Sequence, residues 1–145
     1  DFGLDSTISQ INNSFNTLKG TMRGLHFQYP PKSETKIVRC ISGAIWDVII
    51  DIRYGSPTYG HWFGENLTDE NRKMMYVPKG FAHGFITLEE DTIFSYKCTE
   101  VYNKQSEGSI VWNDKDLNID WGMENPIVSG KDAESPTFAK LSTQF

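Results

Sequence analysis

Between Arg23 and Arg39 the chain reads RGLHFQYPPKSETKIVR, which sets one histidine, His26, among cations that include Arg23, Lys36 and Arg39 in otherwise apolar sequence. Two further histidines follow, His61 in YGHWFG and His83 in GFAHGF. A neutral imidazole held by a carboxylate can take a proton, because the carboxylate fixes the tautomer and stabilises the imidazolium. A proton next to a ketone becomes removable when charge developing on the ketone oxygen is stabilised in a site closed to water. Lys36 and Arg23 are the candidates for that stabilisation. A tyrosine hydroxyl can act as a second proton carrier from the opposite face.

A metal centre is the first alternative. Small β-barrels can hold a transition metal with an HxH pair, a distant histidine and a carboxylate, a set that suits octahedral iron or manganese. Here the paired position is His26-Phe27-Gln28, with an amide where the second imidazole would stand, so no metal is expected. His61, flanked by apolar residues, is read as structural. Cys40 and Cys98 form no CxxC pair and are expected as reduced core residues.

Composition bounds the partners. The net charge of −5 argues against a nucleic-acid surface, which needs a basic stripe. A local cluster of cations can still hold one small diphosphate in a cleft. No run is long enough to cross a bilayer, and the opening DFGLD lacks the pattern of a signal peptide, so a cytoplasmic location is expected. The 145 residues suit a single domain. The chain also enters organised sequence almost at once, which suggests that an element preceding Asp1 is missing.

Strands must position these side chains. In AIWDVIIDIR, Trp46, Val48, Ile50 and Ile52 alternate with Ile45, Asp47, Ile49, Asp51 and Arg53, the period of a strand with one strongly apolar face. Shorter runs at IVRCI, HWFGENL, MMYVP, HGFITL, TIFSYKCT and SIVW are separated by turn chemistry at YGSPTYG, LTDENRK, PKGFAHG, EEDT and YNKQSEG. This spacing predicts an all-β sandwich or barrel. Pro30 and Pro31 predict a bend between a strand carrying His26 and a return strand carrying Lys36 and Arg39. From Asn125 onward the sequence predicts an irregular tail wrapped on the barrel.

RGLHFQ with Lys36-Ile37-Val38-Arg39, then DVIIDIRYGSPTYGHW, VPKGFAHGF, YKCTEVYNKQSEGSIVWND, IDW and IVSGKD, resembles in order the dTDP-4-dehydrorhamnose 3,5-epimerase family. The resemblance implies a cupin-like jelly roll that inverts carbons 3 and 5 of a nucleotide-linked 4-keto-6-deoxy sugar, without metal or cofactor, as a homodimer. It implies His26 as base in a dyad with Asp132, Lys36 at the enolate oxygen and Tyr102, five residues before Glu107, as the acid. Arg23, Gln28, Arg39 and His83 match positions lining the substrate cleft, with Arg23 at the diphosphate; Gln10 and Asn12 resemble polar residues at its mouth. The family's further N-terminal stretch has no counterpart here, and Met22 replaces the commoner leucine as a packing-neutral change. A monoepimerase, a relative acting on a GDP-linked heptose, a 3,4-ketoisomerase and a metal-dependent cupin enzyme are the alternatives.

Overall fold

The structure, a computed structural model, describes residues 3–5, 7–142 and 145. Its strands are β1 (Gln10–Asn16), β2 (Thr21–Gln28), β3 (Lys36–Ser42), β4 (Ala44–Asp51), β5 (Trp62–Thr68), β6 (Met74–Val77), β7 (Phe81–Thr87), β8 (Thr92–Cys98), β9 (Glu107–Ser109) and β10 (Ile127–Val128). One helical turn, α1 (Gly130–Ala133), follows β10. Strands β1-β8-β3-β6 form a four-stranded sheet; β10-β2-β7-β4-β5, with β9 also paired to β2, form a six-stranded one. Pairing is antiparallel except between β10 and β2. Among the described residues no helix is long and apolar enough to cross a membrane.

The alternation along β4 is real, but its two faces pack differently from what the sequence suggests. Ile45 and Ile49 join Val38, Leu67, Val77, Phe85 and Phe94 in a core between the sheets. Val48, Ile50 and Ile52, on the strongly apolar face, pack instead with Met22, Leu25 and Ile86 beneath Ile110, Leu117 and Trp121. The chain after β9 is therefore a third layer over the six-stranded sheet, and β4 is buried on both sides. Each fully buried aliphatic side chain contributes roughly 1.5–3 kcal/mol, so this layer is a second core and not a loose tail. It is mostly irregular, as the sequence predicts, with α1 as a brief exception.

Three local expectations change. QINNSFN, which carries no clear alternation of polarity, is an edge strand with one face toward the cleft. The SIVW run holds a strand only at its start, because Ile110 leaves β9 to pair with Leu25 through both backbone groups and to enter the outer core. The chain does bend after Tyr29, where the Lys32 N–H donates to the Tyr29 carbonyl. However, β3 is not the neighbour of β2: the bend carries the chain from one sheet to the other, so His26 and Lys36 come from facing walls.

A buried carboxylate fixes the end of β4. Asp51 accepts hydrogen bonds from Nε and Nη2 of Arg53, each at 2.9 Å, and from the Ser56 and Thr58 hydroxyls, each at 2.6 Å. Burial works to raise its pKa, but these donors outweigh burial and hold the carboxyl well below the usual range. A depressed native pKa contributes stability that is present above the unfolded value and lost as pH falls toward the native one. Asp51→Asn is expected to lower stability at pH 7 by about 2–3 kcal/mol. In urea unfolding, its deficit against the wild type narrows as pH drops below about 4.

Candidate active site

Strand β2 contains an irregularity that builds the site. Arg23 is paired with Phe85 and His26 with His83, so three steps along β2 match two along β7. In a regular strand residues three apart face opposite sides; the extra residue turns both Arg23 and His26 into the space between the sheets. Gly24 makes the bulge possible. Its φ is +120°, and a Cβ there would lie 2.6 Å from the Gly84 Cα and 2.8 Å from the His83 carbonyl oxygen.

Asp132 holds the bulge. β10 pairs with β2 at the sheet edge, and the turn after it, capped by the Ser129 hydroxyl accepting from the Asp132 N–H at 3.2 Å, brings the carboxylate beneath β2. Asp132 Oδ2 accepts from the Gly24 N–H at 3.2 Å, and Oδ1 lies 2.6 Å from His26 Nε2. Burial works to raise the Asp132 pKa; the His26 and Gly24 hydrogen bonds and the imidazole charge outweigh it and keep the carboxyl ionised. An ionised carboxylate only accepts, so His26 donates to it from Nε2, and the lone pair of the neutral imidazole is then on Nδ1.

The opposite wall follows from sheet register. Gln10, Cys98 and Lys36 form one row across β1, β8 and β3, and Asn12, Tyr96 and Val38 the next. The inward side chains of these rows, Val38 excepted, meet His26 in a cleft of about 350 Å³, which Gln28, Glu34, Tyr102 and Glu107 also line. A deeper part of about 220 Å³ continues from His26, Lys36 and Tyr96 to Arg23, Ser14 and His83 over an apolar floor of Phe85 and Phe94. The Lys36 ammonium lies 3.3 Å from Glu34 Oε1 and 6.0 Å from the centre of the Tyr96 ring. Burial raises the Tyr96 pKa, so its hydroxyl keeps its proton at neutral pH.

A second imidazole and carboxylate pair lies in the six-stranded wall. His83 Nε2 is 2.7 Å from Asp47 Oδ1, with both side chains buried. At the rim, the Tyr102 hydroxyl donates to Glu107 Oε2 at 3.0 Å, and Lys131 Nζ lies 3.1 Å from the same oxygen. Arg23 has no carboxylate partner among the described residues, which leaves its guanidinium available to an anion. Among those residues no group of three or more His, Cys, Asp or Glu comes together as a metal site.

Three expected cleft residues behave differently. Arg39 lies three residues after Lys36 in an unbroken stretch of β3, so it faces the outside of the four-stranded sheet beside Met74 and Ser95, away from any diphosphate in the cleft. Gln28 lines the cleft, but its amide is occupied: Nε2 donates to the Lys32 carbonyl at 2.8 Å and Oε1 accepts from the Asn103 N–H at 2.7 Å, tying the bend to the loop after β8. Gln10 is likewise part of the frame, accepting from the Tyr102 N–H at 2.9 Å and donating to Asn12 at 2.9 Å. His61 lines neither part of the cleft and is exposed, with its backbone closing the turn before β5. Cys40 and Cys98 are free and buried.

The family model for dTDP-4-dehydrorhamnose 3,5-epimerase matches residues 1–140. The chain belongs to this family. It is 46% identical over 129 residues to the dTDP-4-dehydrorhamnose 3,5-epimerase of Shigella flexneri, which covers 89% of this chain and 71% of that protein. Its fold is similar to the crystal structure of the same enzyme from Elizabethkingia anophelis, with a TM-score of 0.92 at 45% identity, covering 94% of this chain and 75% of that one. A dTDP-6-deoxy-D-glucose-3,5-epimerase from Legionella pneumophila, solved in complex with dTDP-4-keto-L-rhamnose, is similar with a TM-score of 0.90 at 41% identity over 96% of this chain and 73% of that one. The sandwich is thus the cupin-like jelly roll of the dTDP-4-dehydrorhamnose 3,5-epimerases.

Sequence reasoning missed Glu34 and Tyr96 in this epimerase-family cleft, and the buried Asp47 that pairs with His83. An aspartate in the apolar run of β4 is a signal for Asp47, since buried carboxylates need partners. Tyr96 gives no such signal, because aromatic residues are ordinary in strands. The bulge itself yields a test: Gly24→Ala is expected to cost about 3 kcal/mol in stability and to abolish the low-field proton resonance of the His26 Nε2–H. Thermal unfolding and proton NMR check both.

Proposed function

We propose that the protein inverts carbons 3 and 5 of a dTDP-linked 4-keto-6-deoxyhexose, taking dTDP-4-dehydro-6-deoxyglucose to dTDP-4-dehydrorhamnose. The observation that carries this reading is the His26–Asp132 pair, in a cleft whose facing wall presents the Lys36 ammonium and a protonated tyrosine. His26 removes the proton next to the ketone, and the imidazolium is stabilised by ionised Asp132. Lys36 stabilises the enolate oxygen as its charge develops. A tyrosine on the facing wall returns a proton to the other side of the ring, and the carbon inverts.

Two tyrosines compete for that last step. Tyr102, the acid implied by family resemblance, is 55% exposed and donates to Glu107 at the rim. Tyr96 lies deeper, lines both parts of the cleft with His26 and Lys36, and projects from the sheet opposite His26. Geometry therefore favours Tyr96 as the donor, with Tyr102 and Glu107 contacting the nucleotide end. Arg23, unpaired, takes the diphosphate, and Asn12 and Gln10 line the approach. His83, fixed by Asp47, borders the sugar in the deeper part.

Incubation with dTDP-4-keto-6-deoxyglucose in deuterated water is expected to place deuterium at carbons 3 and 5, read by NMR. Absence of exchange by the wild-type protein would sink the reading. His26→Ala is expected to lose exchange at both carbons by about 10²-fold or more. Tyr96→Phe keeps exchange but loses completed inversion, while Tyr102→Phe raises KM more than it lowers kcat.

The assembly we infer is a homodimer through the outer face of the four-stranded sheet. Ile11, Phe15, Ile41 and Met74 are 61%, 62%, 49% and 63% exposed there. Register brings them onto one surface with Ile37 and Arg39. A lone antiparallel sheet normally turns a polar face to water; this many large exposed apolar side chains on one face, interspersed with Lys97, Ser95 and Arg39, support an interface there. Ile11→Lys with Phe15→Lys is expected to convert a dimer to monomer in sedimentation velocity. A wild-type monomer at micromolar concentration contradicts the assignment.

A further inference from the structure

The cleft contains a charge that the proposed chemistry does not use. Glu34 precedes β3 by two residues, and its side chain is only 11% exposed, against 12% for Lys36. Its Oε1 lies 3.3 Å from the Lys36 ammonium, and no other carboxylate pairs with that ammonium among the described residues. The Cys98 thiol lies against the same carboxylate: burial, then the Glu34 charge, push it up to about 12, so it stays a neutral S–H. Both groups line the cleft with His26 and Tyr96.

An ammonium withdrawn this far from water is costly unless a partner compensates it. A lysine side chain also has four rotatable bonds and no fixed direction of its own. An ion pair with a carboxylate eases both problems, since it restores charge balance and draws the ammonium toward one side of the cleft. The Tyr96 ring lies near the same ammonium, with its centre 6.0 Å away. The remaining donors are left for an oxygen in the cleft.

We infer that Glu34 is a positioning residue, whose carboxylate holds the Lys36 ammonium in place as its counter-ion and aims its free N–H groups at the substrate oxygen that gains charge. This rests on the epimerase reading for its chemistry, but the pairing itself stands on the free protein. Glu34 touches no reacting atom; it acts through Lys36. It follows that the loss of Glu34 and the loss of Lys36 are one loss and not two.

Glu34→Gln, Glu34→Asp, Lys36→Ala and the Glu34→Gln/Lys36→Ala double variant decide the matter, with circular dichroism checking that each is folded. In the free protein, NMR of the 15N-labelled Lys36 side chain is expected to show ammonium protons exchanging with solvent about tenfold faster in Glu34→Gln, where the ion pair is lost. In turnover, Glu34→Gln is expected to lower kcat by about tenfold with KM nearly unchanged, and Glu34→Asp to recover part of it. The double variant is expected to be no slower than Lys36→Ala alone. Unchanged Nζ exchange, wild-type kcat in Glu34→Gln, or losses that multiply in the double variant overturn the inference. A wild-type protein without turnover defeats the epimerase reading instead, while the exchange measurement still decides on Glu34.

Discussion

The Asp132 carboxylate is the interaction on which the site depends. It is buried, and a buried carboxylate is tolerable only when its oxygens are satisfied. Each oxygen has a different partner here. Oδ2 accepts from the backbone of the β2 bulge at Gly24, and Oδ1 orients the imidazole that the bulge has turned inward. One anion therefore stabilises an irregular backbone and defines the tautomer of the side chain which that backbone presents. This carboxylate comes from outside the six-stranded sheet's main strands: the layer that begins after β9 and packs by hydrophobic contact over the sheet carries it to the edge.

The second constraint is that the cleft lies between two walls of different character. The six-stranded wall, backed by the outer core, supplies the imidazoles, each fixed by its own carboxylate. The four-stranded wall supplies Lys36 and Tyr96 from adjacent rows in register. Groups on facing sheets reach opposite sides of a flat ring without any motion of the frame, which is the geometric need of an inversion. Pairing of Lys36 with Glu34 and of Glu107 with Lys131 leaves little uncompensated charge apart from Arg23. That accounts for how a chain of net charge −5 can offer a place to a diphosphate.

Much of this was legible in the sequence, and the gaps have physical causes. Strand positions follow from β-branched and aromatic runs, and the set His26, Lys36, Tyr102 and Asp132 was found through motif order. The motifs do not give face. Arg23 and His26 are three residues apart and share a face because a bulge intervenes; Lys36 and Arg39 are also three apart and do not, because β3 is regular there. A glycine inside a strand is a hint of a bulge, and Gly24 supplied it. Layer assignment was hidden for a similar reason. The apolar face of β4 looks like the inner one until the chain after β9 is known to return over it.

β1 joins the site to the proposed assembly. It is an edge strand held on one side by β8, and an edge strand left alone is the least stable part of a sheet. Its inward residues Gln10 and Asn12 line the cleft, and Gln10 accepts from the Tyr102 backbone; its outward residues Ile11 and Phe15 belong to the apolar surface. Burying that surface against a second copy would order β1 by the same alternation that aims Gln10 and Asn12 inward. The partner need not touch the substrate to matter, since it would hold the strand that holds the Tyr102 loop. Affinity at the nucleotide end and association of the subunits are then two readouts of one strand's order, whereas the His26–Asp132 pair, on the opposite wall, is independent of both.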